Sequence, residues 1–233
     1  LAYTFDWGAV VTGQYGHWLV QGFVTTMEIS GLSIAISLAM GMTIAVLRIS
    51  RVRLLEGSAM WFTEFFRNTP LLVQMFFWYF GSSAILPEAV NKWLYRQDFE
   101  FTAGTIALSV YTAAFIAEDI RSGIFAIPKN QLEASRACGL SFLQAQWYVI
   151  LPQAFRIIVP PLISQFLNLI KNSSLVMTIG VMDLTYMARQ VESYSFHGFE
   201  AFTVSTLMYL AVSLVLSAAI QIYSHRSKTP VRA

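Results

Sequence analysis

The sequence predicts an all-helical integral membrane protein. Three observations carry that class: composition, a set of long apolar runs, and basic residues gathered into alternate loops. Apolar residues make up 56% of the 233 residues and charged ones only 12%, with 18 Phe, 10 Tyr and 6 Trp. A soluble domain carries about a quarter charged residues. No Gly-, Ser- or Pro-rich linker divides the chain, so residues 1–233 read as a single transmembrane domain. The net charge of +2 is too small to point to nucleic acid. The lone Cys138 can form neither an intrachain disulfide nor a thiolate metal site by itself.

A spanning helix needs about 20 mostly apolar residues. Four stretches qualify: 19–47, 70–86 with a polar lead-in from 58, 101–127, and 199–224. A fifth span, 153–175, is interrupted by Pro160-Pro161 and by Lys171-Asn172-Ser173-Ser174. After it, LVMTIGVM (175–182) is too short to cross and is expected as a dip or buried turn. In the first span Gly31, Ala35 and Ala39 recur four apart, with Ser37, Gly41 and Ala45 alongside. Small residues at this spacing let helices approach closely in lipid, so this face is expected against a neighbour.

Lys and Arg accumulate in cytoplasmic loops. Arg48, Arg51 and Arg53 follow the first span; Arg121, Lys129 and Arg136 follow the third; Arg226, Lys228 and Arg232 lie in the tail. The opposite side has Lys92, Arg96 and Arg189 among seven carboxylates. With five spans, this places the N-terminus outside and the C-terminus in the cytoplasm. Trp7, Trp18, Trp93 and Tyr95 fall where interfacial aromatic anchors are expected.

The cytoplasmic stretch Glu133–Ala154 cannot cross a membrane. Asn130 followed by Glu133 fits an N-terminal capping box, Gly139 suits a left-handed helix end, and Ser141 with Gln144 repeats the box. Pro152 is expected to stop the second helix. The first helix carries a narrow small-residue face (Ala134, Ala137, Cys138), the second an apolar one (Leu140, Leu143, Trp147). A surface elbow and a protruding docking helix both fit this pattern, and spacing alone does not separate them.

Glu133-Ala134-Ser135, then Gly139, then Val149-x-Leu151-Pro152 resembles the EAA signature of bacterial ATP-binding-cassette (ABC) importer permeases, E-A-A-x3-G-x9-I-x-L-P. Ser135 replaces the second Ala and Val149 the Ile. EFFRNTPLLVQ (64–74), LPQAFRIIVPPL (151–162) and NLIKNSSL (168–175) resemble the polar amino acid branch, closest to permeases of glutamate/aspartate importers. The resemblance covers nearly the whole chain from the first span onward. It implies a type I ABC importer permease fold with five transmembrane helices, in the bacterial cytoplasmic (inner) membrane. It makes the segment about 128–152 a coupling helix, held in a cleft of a cytosolic ATPase. Glu133, Ala134, Ser135, Gly139, Leu151 and Pro152 then carry the coupling, with Glu133 capping its helix and touching the partner. The implied partners are two ATPase subunits, a second permease, identical or related, an extracytoplasmic amino acid-binding protein, and membrane lipid. No G-x-x-x-x-G-K-[ST] phosphate loop occurs in the sequence, so ATP and magnesium are expected on the ATPase and no cofactor on this chain. The chain is read as a transport subunit, not an enzyme.

Ionisable groups at membrane depth cost roughly 2.5–3.5 kcal/mol each, so each is a functional candidate. Three groups stand out: Glu64, Arg67 and Asn68 before Pro70; Glu118, Asp119 and Arg121; and Asn168, Lys171 and Asn172. Glu64/Arg67 and Glu118/Arg121 also suit salt bridges at i,i+3. Lys171 has no acidic neighbour at helical spacing and sits where the helix pattern fails. Broken helices near the midplane are where transporters often bind substrate. Lys171 therefore answers a substrate carboxylate, snorkels to the outer interface or pairs with a residue on another span. His17, His197 and His225 make no metal-ligand spacing. The rival reading is a proton-coupled secondary transporter using Glu64, Glu118 or Asp119; it leaves the coupling segment unexplained. An embedded enzyme lacks any nucleophile–base pair to work with.

Overall fold

A computed structural model describes residues 4–50, 52–81, 84, 87–94 and 98–227. Of the expected features, Arg51, Tyr95, Arg96, Lys228 and Arg232 lie outside the described residues, as do the side chains of Trp93 and Arg226. A short helix, α1 (Trp7–Val11), starts where the Asp6 carboxylate accepts the Ala9 N–H at 2.9 Å. Then α2 (Gly13–Ile49) runs 37 residues without a break. At 1.5 Å per residue this is about 55 Å, ample for a hydrocarbon core of about 30 Å.

The amphipathic α3 (Arg53–Arg67) ends before Pro70, because a proline disfavours helix at the residue preceding it. Gln74 holds the break together: its Nε2 donates to Phe66 O (2.9 Å), Thr69 O (3.2 Å) and Thr69 Oγ1 (2.7 Å). Beyond it, α4 (Leu71–Phe76) continues as a π-helical turn, Phe77–Gly81. The span expected over 70–86 is thus described as a shorter apolar helix, Leu71–Gly81; residues 82, 83, 85 and 86 lie outside the described residues. The exposed α5 (Glu88–Leu94) follows.

The central pillar is α6 (Phe99–Phe125), capped by Asp98, whose Oδ1 accepts the Phe101 N–H at 3.0 Å. Ala103, Ala107, Leu108, Ala113, Ala114, Ile116 and Ala117 along it are buried. Helix α2 lies against it through Ser33, Ser37, Gly41 and Ala45. The expected Gly31–Ala35–Ala39 row is instead exposed. The serines explain the register, since their hydroxyls bond locally or across the seam: Ser37 to Ile34 O at 3.0 Å, Ser33 to Thr105 O at 3.5 Å. A Cβ on Gly41 would stand 2.5 Å from Ile116 Cγ2, so no larger residue fits without displacement.

After α6 come α7 (Lys129–Ala137) and α8 (Phe142–Ala145). A π-helical turn, Gln146–Ile150, leads from α8 directly into α9 (Leu151–Asn172). Pro152 therefore does not stop the helix as expected. The chain runs helically through it, just after the π-helical turn in which the Leu151 N–H reaches back to Gln146 O. Helix α9 also runs through Pro160 and Pro161 and tightens to a 3-10 helix only at Ser173–Ile179. Gly180, at φ 97°, makes the turn that LVMTIGVM predicted. Asp183 caps α10 (Leu184–Ser195), and α11 (Gly198–Ser227) closes the bundle.

Among the described residues four helices are long and apolar enough to cross a membrane: 13–49, 99–125, 142–179 and 198–223. Three buried clusters stack along the bundle. Val10, Leu19, Leu184, Ala188, Val191 and Ala201 seal one end. Ile29, Leu71, Met75, Leu108, Val176 and Ile179 fill the middle. Ile127, Ile150, Ala154 and Ile158 seal the end from which α7 and α8 project.

Candidate translocation and coupling sites

The α7–α8 corner is built largely as the capping signals foretell. Gly139 takes φ 87°, and the Leu140 N–H closes the helix end on Ser135 O at 3.3 Å. The Ser141–Gln144 box is complete: Ser141 N–H donates to Gln144 Oε1 (2.8 Å) and Gln144 N–H to Ser141 Oγ (3.3 Å). The Asn130–Glu133 box is absent. Helix α7 starts one residue earlier, after Pro128, so Asn130 is already helical and its side chain caps nothing. Glu133 does not cap its own helix; it is exposed, as are Ala134, Ala137 and Cys138. Ser135 is buried and its hydroxyl donates to Leu132 O at 2.7 Å, so the extra oxygen is satisfied within its own turn. Phe142, Leu143, Trp147 and Tyr148 form an exposed apolar face, Leu143 and Trp147 each at 68%.

On the bundle's interior side, α6 and α9 part around a cavity of about 360 Å³. Asn168, Lys171 and Asn172 line it together with Gln165, Leu169, Tyr111, Thr112 and Phe115. The sequence reading located the first three and missed the rest. Gln165 was findable, since residues 165, 168 and 172 recur on one face of a 3.6-residue helix. Lys171 is exposed and forms no ion pair among the described residues.

At the end of the cavity nearer α7, Gln165 Nε2 donates to Asp119 Oδ2 at 2.9 Å. The Arg67 guanidinium rests on the Phe115 ring, 5.4 Å from its centroid, and its Nε is buried without a hydrogen-bond partner among the described residues. The expected Glu64–Arg67 bridge does not form; Glu64 instead bonds Asn68 Nδ2, and both are exposed outside the cavity. The Glu118–Arg121 bridge does form, at 2.6 Å, and Arg48 of α2 joins it at 2.8 Å. A second, wider depression of about 1020 Å³ lies at the opposite end, lined by Thr25, Tyr79, Asp98, Glu100, Gly180 and Met182.

An α-helical bundle carrying an exposed two-helix corner and an intramembrane polar cavity suits a transport subunit worked from outside itself. Residues 31–229 match the model of the binding-protein-dependent transport system inner membrane component. The chain belongs to this family. Among its relatives is the glutamate/aspartate import permease protein GltJ of Escherichia coli (strain K12), 34% identical, the match covering 93% of this chain and 89% of that one. The probable glutamine ABC transporter permease protein GlnM of Bacillus subtilis (strain 168) is 41% identical, over 89% of this chain and 92% of that one. The crystal structure of an amino acid ABC transporter with histidines superposes with a TM-score of 0.85 at 31% identity, covering 96% of this chain and 100% of that one. The fold is that of a type I ABC importer permease. The chain is the permease of an amino acid ABC importer, a multi-pass component of the inner membrane.

Proposed function

We propose that this permease carries glutamate and aspartate, with the α6–α9 cavity as its substrate station. The observation that carries the reading is Lys171: a cation on the wall of a polar intramembrane cavity, beside Asn168 and Asn172, with no anion of the described chain paired to it. A carboxylate entering there gains a charge-assisted hydrogen bond that the apo chain lacks. Arg67, one layer nearer the cytoplasm, adds positive potential. The likeness to GltJ supports an acidic substrate; the likeness to GlnM favours an uncharged relative, and the test below separates them.

Two permeases, this one and an identical or related copy, enclose the passage between them, above two ATPase subunits that hold ATP and magnesium. An extracytoplasmic binding protein delivers the amino acid at the Asp98/Glu100 end, with the N-terminus outside and the C-terminus in the cytoplasm. Ala134 and its exposed neighbours enter the ATPase cleft, Glu133 touches the partner, and Gly139 holds the corner. Because α8 passes through Leu151 and Pro152 into α9 as one continuous helix, a push on the corner acts directly on the wall that bears Lys171. ATP binding and hydrolysis then switch the bundle between outward- and inward-facing packings.

Uptake of radiolabelled glutamate by proteoliposomes holding the whole importer tests this. Lys171→Met should lower uptake about tenfold, the loss of ~1.4 kcal/mol of interaction, while Lys171→Arg retains most of it. Unchanged uptake in an intact Lys171→Met complex would remove the lysine from the passage, and preference for glutamine over glutamate would overturn the substrate assignment.

A further inference from the structure

We propose that the corner between α10 and α11 is an anchor in the outer lipid leaflet, with Phe196 as the residue that enters it. Phe196 has a φ of 59°, the positive-φ non-glycine among the described residues, and it is 82% exposed. A bulky residue in the left-handed region is a genuine outlier, and helices that end this way ordinarily place glycine or asparagine there. The turn is firmly held: Phe196 N–H donates to Glu192 O at 2.9 Å, Ser195 Oγ to Val191 O at 2.6 Å, and His197 N–H to Ser195 Oγ at 3.1 Å. The chain thus fixes a strained turn whose side chain gains nothing from the protein itself, and what the ring gains must come from outside.

Lipid is the occupant that the surroundings specify. Gly198 opens α11, whose spanning stretch is only 6% buried, so its flank is the bilayer-facing side of the bundle. Phe199 and Phe202 lead from the corner into that flank, and a shallow groove of about 400 Å³ runs from Gly198 past Thr203 to Leu207. Phe199 meets Phe5 at 5.4 Å and Trp7 at 6.1 Å, edge to face. On the α10 side, exposed Tyr194 meets Trp18 at 5.6 Å. Aromatic side chains in two such groups, flanking the start of a lipid-facing helix, match the headgroup level of a membrane, where amphipathic rings are favoured. Arg189 and Glu192 are the exposed charges of α10, and Glu192 folds back against Gly198 beside the corner.

The test uses the assembled importer in nanodiscs of phosphatidylethanolamine and phosphatidylglycerol. Cys138, the single cysteine, is replaced by Ser, and a nitroxide is attached at Phe196→Cys, with Arg189→Cys as the aqueous reference. Because both positions are exposed, neither change disturbs the core. Relaxation enhancement by oxygen exceeding that by a water-soluble nickel chelate at 196, with the opposite order at 189, is the expected result. Chelate access at 196, with or without loss on adding the binding protein, would place the ring in water or on a protein partner and overturn the anchor. Shielding from both reagents would mean that a second permease covers the corner, and would overturn it equally.

Discussion

Helix α6 has two working faces that differ in almost every respect. Against α2 it is close: Gly41 meets Ile116, Ala113 and Ala117 are fully buried, and the polar atoms are small hydroxyls until the Arg48–Glu118 ion pair at one end. Against α9 it parts around a cavity whose walls hold Tyr111, Thr112, Gln165, Asn168, Lys171 and Asn172. The α2–α6 seam spends its small residues on approach, as helices in lipid must when no hydrophobic force drives them together. The α6–α9 seam closes where Ile158 packs on Gly123 and Gln165 bonds Asp119, and opens beyond them around the cavity. On the proposed function one helix serves as a fixed strut on one side and a substrate wall on the other, and the α9 side is the one continuous with the two-helix corner.

The contrast breaks most visibly at Gly41. A leucine there would drive its Cβ into Ile116 and toward Ala113 O, and Gly41→Leu should cost about 3 kcal/mol or more through overpacking. Thermal unfolding in detergent, followed by size-exclusion chromatography, should show a lower midpoint and loss of the monodisperse peak. Gly31→Leu is the matched control, because nothing lies within 4 Å of a Cβ at that position. Its midpoint should move little; an equal drop in both variants would mean that glycine's backbone, not the seam, sets the cost.

That pair of glycines also marks how far the sequence was legible. Periodicity located the long spans and the caps located the two-helix corner, and the EAA resemblance suggested the role proposed for that corner, because those signals are local or shared across a family. Both rows of small residues on α2 were visible in the sequence, but that Ser37, Gly41 and Ala45 are buried and Gly31, Ala35 and Ala39 exposed depends on Ile116, some seventy-five residues beyond Gly41. Lys171 stood out by lacking a helical partner, yet Phe115 and Tyr111 did not, since an aromatic in an apolar helix looks the same facing lipid or ligand. Arg67 was matched to Glu64 by spacing, whereas the Pro70 break turned it toward Phe115. Pro152 misled for a related reason: a proline need not end a helix, and this one runs through Pro152 after a π-helical turn and again through Pro160 and Pro161.

Polar groups sharpen the comparison next. At the sealed end around Leu184, Asp183 is fully buried and answered, accepting from Tyr186 N–H at 2.9 Å and Tyr209 OH at 3.1 Å, while Lys171 in the cavity stays open. Burial raises the Asp183 carboxyl from 3.8 to about 6, against the lowering effect of those hydrogen bonds. A carboxyl raised on folding stabilises fully below its unfolded value and loses that contribution as pH rises through its folded value. The end around Asp183 should therefore weaken between about pH 4 and pH 6, by up to about 3 kcal/mol, and level off above. Asp183→Asn keeps an acceptor for the Tyr186 N–H and has no charge to bury. Hydrogen exchange of residues 184–191 should lose its pH-dependent part in this variant after correction for intrinsic rates; a slope persisting unchanged would assign it to another group.

The smallest effect separates a corner that drives the α6–α9 seam from a mere surface elbow. Ser141 caps α8 in both directions, whereas Asn130 caps nothing. Ser141→Ala should cost about 1 kcal/mol locally, and Asn130→Ala a few tenths at most, since alanine is the better helix former inside α7. Because α8 continues through the π-helical turn into α9, slack introduced at Ser141 is placed between the ATPase and the cavity wall. Substrate-stimulated ATP hydrolysis by the reconstituted importer should then yield less uptake per ATP in Ser141→Ala and an unchanged ratio in Asn130→Ala. If both variants kept the ratio while Ser141→Ala still melted earlier, the box would be a fastening of the corner alone, and the transmission would run through α7 into α6 instead, along the α2–α6 seam.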